Sequence, residues 1–142
     1  MKGPVLAIDH GTKRTGFASV DALRIVSKAL DPFHGPGDDA KLLEHVAALV
    51  DERDVRLLLV GLPINVDGTE GPRAAEVRAF AARLATRLPR VPVKLWNETL
   101  TTKAAEELLR EAGHHGKDAR ARRDSWSALV LLRDWMESGE PG

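Results

Sequence analysis

The run Val5-Leu-Ala-Ile-Asp9-His-Gly11-Thr-Lys13-Arg14-Thr-Gly16-Phe-Ala-Ser-Val20 constrains this chain more than any other stretch. A continuous apolar segment ends in an acid, turns through Gly11, shows two adjacent cations and resumes as Gly16-Phe-Ala. That pattern reads as two strands joined by a tight turn, the first buried on both faces because its apolar residues are uninterrupted. Asp9 stands where the apolar pattern stops, so it belongs at a strand end, at the rim of a sheet. A carboxylate beside a glycine turn and two cations suits a metal or phosphate site.

The chain-wide figures narrow what can accompany this hairpin. With 142 residues the chain is expected to form one domain, residues 1–142, with a frayed tail over 138–142. A domain of that size buries roughly 70% of the surface of its unfolded chain, so it needs no staple. It has no cysteine, which rules out disulfides and thiolate zinc sites and fits a cytoplasmic location. No apolar run approaches the length of a membrane span, so no membrane partner is expected. Basic and acidic residues balance at 21 each, so affinity for an anionic polymer has to come from local clustering.

Periodicity gives the order β-β-β-α-β-α-β-α-α. Strands are expected at 4–9, 15–20, about 23–30, 55–60 and 91–96. Asp31-Pro-Phe-His-Gly-Pro-Gly reads as a loop. Helices are expected from Asp38 or Asp39 to about Glu52, from Pro72 to about Leu88, over about 102–112, and from Asp124 through Trp135. Three strands in series followed by strand–helix alternation predict an α/β fold with a mixed five-stranded sheet and helices on both faces. Strands one to three would be antiparallel, and strands one, four and five parallel. The carboxyl ends of strands one, four and five then share one rim, where open α/β sheets bind ligands.

Three acids from separate elements converge on that rim in this topology: Asp9, Glu98 at the end of strand five, and Asp124 at the start of the last helix. Hard oxygen ligands without any thiolate point to magnesium or manganese. Two-metal sites of this kind hold their cations roughly 3.5–4 Å apart and serve in-line phosphoryl displacement. Taken singly, Asp124 also reads as a helix N-cap, Glu98 as a first-turn helix acid and Asp9 as a turn former. Lys13 and Arg14 on the hairpin tip are candidate contacts to a nucleic-acid backbone. So is the densest basic stretch, with Lys117, Arg120, Arg122 and Arg123, although a solvated loop has the same composition. His114 and His115 lack zinc-motif spacing. In Gly61-Leu-Pro63-Ile-Asn65-Val-Asp67-Gly68, Asn65 and Asp67 suit substrate contact and ordinary turn chemistry equally. Thr101 and Thr102 suit phosphate contact or helix capping.

Four motifs occur in order: Asp9-x-Gly11-x-Lys13-Arg14-x-Gly16-x-Ala18, Gly61-Leu-Pro63-x-Asn65-x-Asp67-Gly68-x-x-Gly71, Glu98-x-x-Thr101-Thr102 and Asp124-Ser-x-x-Ala128. Together they resemble the YqgF family, also called RuvX, of Holliday-junction-resolvase-like proteins, over about residues 5–135. The resemblance implies an RNase H-like fold and magnesium-dependent endonuclease chemistry. It further implies processing of the 5′ end of precursor 16S rRNA, with precursor rRNA and ribosomal particles as partners and a monomer or homodimer as the working form. Resolution of branched DNA, as in RuvC, and a non-catalytic nucleic-acid-binding role on the same fold are the alternatives. Where the family usually has Asp-Glu-Arg, this chain has Asn97-Glu98-Thr99, so the metal-binding and catalytic role passes to Glu98 alone, with Asp9 and Asp124. Asp67 is the reserve acid should Glu98 face away.

Overall fold

The structure, a computed structural model, describes residues 3–98 and 123–141, without the side chains of Arg123 and Asp124. Its elements run β1 (Val5–Asp9), β2 (Arg14–Val20), β3 (Ser27–His34), α1 (Ala40–Arg53), β4 (Leu57–Leu62), α2 (Pro72–Arg87), β5 (Val93–Asn97) and α3 (Arg123–Glu137). The helix expected over 102–112 and the basic loop after it lie outside the described residues. The sheet order is β3-β2-β1-β4-β5. β1 pairs antiparallel with β2 and parallel with β4, β2 pairs antiparallel with β3, and β4 pairs parallel with β5. This is the mixed sheet that the element order predicts.

Side-chain alternation divides the core into two layers. Leu6, Ile8, Leu58 and Val60 face α1 and α2, where Leu42, Val46, Val77, Phe80 and Leu84 meet them. Val5, Ala7 and Leu59 face the other way, onto Ala128, Leu129, Leu131, Leu132 and Trp135 of α3. Both faces of the central strands are therefore dry, which is why their sequences are continuously apolar. Each fully buried leucine, valine or phenylalanine contributes on the order of 1.5–3 kcal/mol. Asp39 caps α1 by accepting a hydrogen bond from the Lys41 amide at 2.9 Å. Asp54 ends that helix in the left-handed conformation, with φ 52°. Trp96 donates from its indole nitrogen to Asp134 on α3 at 2.9 Å.

Two boundaries differ from the sequence reading. β3 lies at 27–34, four residues later than expected. Residues 21–26 form a turn instead, because Asp21 Oδ1 accepts from the amides of Ile25 (2.8 Å) and Val26 (2.9 Å) and Arg24 takes a left-handed φ of 61°. The strand signal there came from Leu23, Ile25 and Val26, which are 76%, 73% and 58% exposed. Pro32, read as a loop former, sits in β3 where the register with β2 shifts between Thr15 and Phe17. An edge strand at a bulge tolerates a proline that an inner strand would not.

Two residues of the tail, Glu140 and Pro141, make side-chain contacts with the body of the domain. Glu140 takes both ends of the Arg24 guanidinium, at 3.0 and 3.1 Å, and Trp135 Nε1 donates to the Pro141 carbonyl at 3.2 Å. No helix among the described residues is long and apolar enough to cross a membrane.

Candidate active site

The alternation that builds the core also aims the acids. Asp9 continues the Val5–Ala7 side of β1, so it faces the α3 layer. Glu98 follows β5 in step with Trp96, which packs in the same layer. Its amide donates to the Leu62 carbonyl at 3.2 Å, extending the β4–β5 pairing by one bond past Asn97. The two carboxyl groups, 89 positions apart in the chain, meet in a side-chain hydrogen bond. Gly61 makes the meeting possible. It lies between them on β4, and a Cβ there would collide with Glu98 Oε2. Glu98 therefore turns inward, and Asp67 is not needed in its place.

Burial pushes the Glu98 carboxyl above its ordinary range, and the Asp9 hydrogen bond and the Arg73 charge hold it partly back. An acid whose pKa is raised on folding stabilises the fold below its unfolded value of 4.5, and that contribution is lost as pH rises through the folded value. In metal-free buffer the wild type is expected to lose thermal stability over that window relative to Glu98→Gln. Parallel melting curves across pH 4–8, with Tm differences independent of pH, would refute this.

Asp124 is the second residue of α3, and its neighbour Ser125 ties that helix to the sheet. The Ser125 hydroxyl, fully buried, accepts from the Phe17 amide at 3.3 Å. Phe17 pairs with Ile8, one row from Asp9. Ser125 thus ties the first turn of α3 to the strand row next to Asp9, and α3 packs on the face of the sheet that Asp9 shares. Among the described residues no group of three potential metal ligands gathers, and the side chain that would be third, that of Asp124, lies outside them. The donors present fit a hard divalent cation. They are adjacent carboxylate oxygens in a half-buried setting, one of them disfavoured as an anion until positive charge arrives.

The other sequence candidates divide. Lys13 and Arg14 are exposed on the β1–β2 turn at the same rim. Amides of the following loop fasten that turn, Gly35 donating to Lys13 O at 2.9 Å and Gly37 to Thr12 O at 3.2 Å. Asn65 is exposed, and its amide side chain donates to Thr69 Oγ1 at 3.0 Å. Asp67 accepts from the same hydroxyl and from the Thr69 amide, so both residues build the turn. Thr101, Thr102, Lys117, Arg120 and Arg122 lie outside the described residues, as does the Arg123 side chain.

Two residues that sequence reasoning passed over adjoin the pair. Arg73 donates to the His10 carbonyl at 2.6 Å. His10 is buried against Phe80, ring centroids 4.4 Å apart, and burial lowers its pKa. The sequence carried one signal for Arg73. It is the second residue of α2, where the helix dipole disfavours a cation, and such a local mismatch marks function or compensation. A cleft of about 350 Å³ opens on the α1–α2 side of His10, lined by Thr12, Asp38, Glu76 and Arg83 among others, and neither acid of the pair lines it.

The family model described as RuvX, Holliday junction resolvase, matches residues 3–138. A relative from Anaeromyxobacter sp. (strain Fw109-5), named "Putative pre-16S rRNA nuclease", is 39% identical, the match covering 93% of this chain and 95% of that one. A relative of the same name from Thermobifida fusca (strain YX) is 40% identical over 96% of this chain and 88% of its own. Among solved structures, T. thermophilus RuvC in complex with a Holliday junction substrate superposes with a TM-score of 0.57 at 15% identity, covering 96% of each chain. The Fowlpox virus resolvase bound to Holliday junction DNA gives 0.60 at 13% identity, covering 97% of this chain and 99% of that one. At such identities these two speak for the shared RNase H-like fold. The family model and the relatives identify the lineage: this chain belongs to the RuvX family of Holliday-junction-resolvase-like nucleases.

Proposed function

We propose that this protein is a divalent-metal-dependent endonuclease that trims the 5′ end of precursor 16S rRNA. The observation that carries the reading is the Asp9–Glu98 carboxyl pair, formed across β1 and β5 at the carboxyl rim of the sheet and facing the start of α3. Asp9 and Glu98, with Asp124 from the first turn of α3, would hold magnesium or manganese. The cation would supply Lewis-acid activation of water and neutralise the scissile phosphate. The chain's own residues do the remainder. Gly61 leaves Glu98 room to turn inward, Ser125 anchors α3 beside Asp9, and the sheet keeps the pair rigid. Lys13 and Arg14 lie on the same rim, where they would bind the nucleic-acid backbone on either side of the cut. Asn65, Thr101, Thr102 and the basic residues Lys117, Arg120, Arg122 and Arg123 would extend that surface.

The test offers purified protein a precursor rRNA bearing the 5′ extension and a four-way DNA junction, each with magnesium or with EDTA. Magnesium-dependent shortening of the RNA at one position is the expected outcome. Cutting of the junction alone would replace the substrate in this reading, and binding without cutting of either would replace the enzyme with a binding factor.

A further inference from the structure

His10 lies one residue past the last β1–β2 ladder pair, Asp9 with Gly16, so its carbonyl stands beyond the paired register of β1 and β2. Side chains take over instead. One Arg73 nitrogen, Nη2, donates to the His10 carbonyl at 2.6 Å and lies 3.3 Å from His10 Nδ1. Arginine nitrogens carry only hydrogens to give, so Nδ1 acts as acceptor and the ring proton sits on Nε2. That proton goes to the Gly37 carbonyl, 2.9 Å away. The ring is stacked on Phe80, and the other guanidinium nitrogen, Nη1, is ion-paired with Glu76. A side chain at position 37 would strike the His10 ring and the Gly11 carbonyl, so the loop before α1 closes tightly on the same point.

From this geometry we infer that Arg73 is a positioning residue, which with His10 clamps the His10–Gly11 peptide, one residue beyond Asp9, and thereby sets the Asp9 carboxylate for the cation. Arg73 acts through its neighbour rather than on the reacting atoms. The hydrogen-bond geometry supports the choice of arginine. The guanidinium plane presents two hydrogens from one nitrogen while its second nitrogen holds Glu76, and a lysine ammonium on a flexible stem does not reproduce that fork.

The inference rests on the nuclease reading, and its test separates the two. Wild type, Arg73→Lys and Arg73→Gln are titrated with Mn²⁺ by electron paramagnetic resonance. They are also assayed for kcat and KM on the cleaved substrate, and the His10 ring is followed by ¹⁵N NMR. Both variants are expected to bind Mn²⁺ about 10–100-fold more weakly, the range for residues that support metal ligands. They should lose kcat with KM within about twofold, and the His10 nitrogen shifts should move. Should Arg73→Gln lose its fold, Arg73→Lys, which keeps the charge and the stem, carries the test. Unchanged metal affinity, or a change in KM alone, would overturn the clamp while the nuclease reading stands. Wild type that binds Mn²⁺ and cuts nothing would overturn the nuclease reading, and the Mn²⁺ titration would still decide the clamp. Wild type that binds no Mn²⁺ would overturn both.

Discussion

Asp9→Asn is expected to abolish cleavage while leaving nucleic-acid binding within a few-fold of wild type. Asparagine keeps the size and hydrogen-bonding reach of the side chain at the end of β1, so the Gly16 pairing and the buried strand behind it are untouched. What it removes is one of the two carboxyl groups that meet at the rim. Losing a residue that merely supports a metal ligand costs roughly 10–100-fold in affinity or activity, so losing a ligand itself should exceed about 100-fold. The variant should also relieve the crowding of two acids in a half-buried place, so its metal-free form should be no less stable than wild type. The added Tm that wild type gains from magnesium should vanish with the ligand, since a cation stabilises only a fold that binds it. Cleavage rates, a binding isotherm and paired melting curves with and without magnesium read all three. A variant that cuts within tenfold of wild type would remove Asp9 from the mechanism.

Gly61→Ala carries the second large effect, and here stability and activity should fall together. Position 61 is buried on β4, and an added methyl would run into Glu98 Oε2 and sit 3.1 Å from Leu131 Cδ2 of α3. Both neighbours are confined, one by its hydrogen bond to Asp9 and the other by the α3 core. Forcing a carbon into a packed interior costs about 1–3 kcal/mol. The alternative is for Glu98 to swing out, which spares the fold and separates the acid pair. Either route lowers magnesium affinity, and the measured division between Tm and activity tells which neighbour yields. An alanine variant with wild-type Tm and wild-type rate would show that Glu98 does not need this space.

How much of this could be read beforehand follows from the physics of each element. Continuous apolar runs made β1 and β4 legible, since only strands covered on both faces carry them. The order of elements then fixed which strand ends share a rim, and with it the convergence of Asp9 and Glu98. β3 was misplaced because Leu23, Ile25 and Val26 mimic a strand while Asp21 folds them into a turn, and side-chain capping leaves no periodic trace. Pro32 looked like a strand breaker because nothing local reveals that β3 is an edge. Gly61 was visible as a loop-opening glycine, yet its reason, a carboxylate arriving from β5, is a contact between distant positions. Arg73 and His10 were missed for the same cause. Their bond spans 63 positions, and its only local sign is a cation in the first turn of a helix.

The Arg24 guanidinium has a consequence for how the molecule can be handled. It donates to the Gly3 carbonyl at 2.8 Å and grips Glu140 at the same time, so both ends of the described chain converge on one side chain. That point lies beside the β2–β3 turn, at the end of β1 away from Asp9. Tethers, labels and fusion partners attached at either end would therefore depart from the pole remote from the acids. Adjacent ends also make the topology suited to circular permutation, with a short linker closing the old ends and new ones opened in an exposed turn. The residue that ties the tail to the start of β1 thus stands at the opposite end of the sheet from the acid pair.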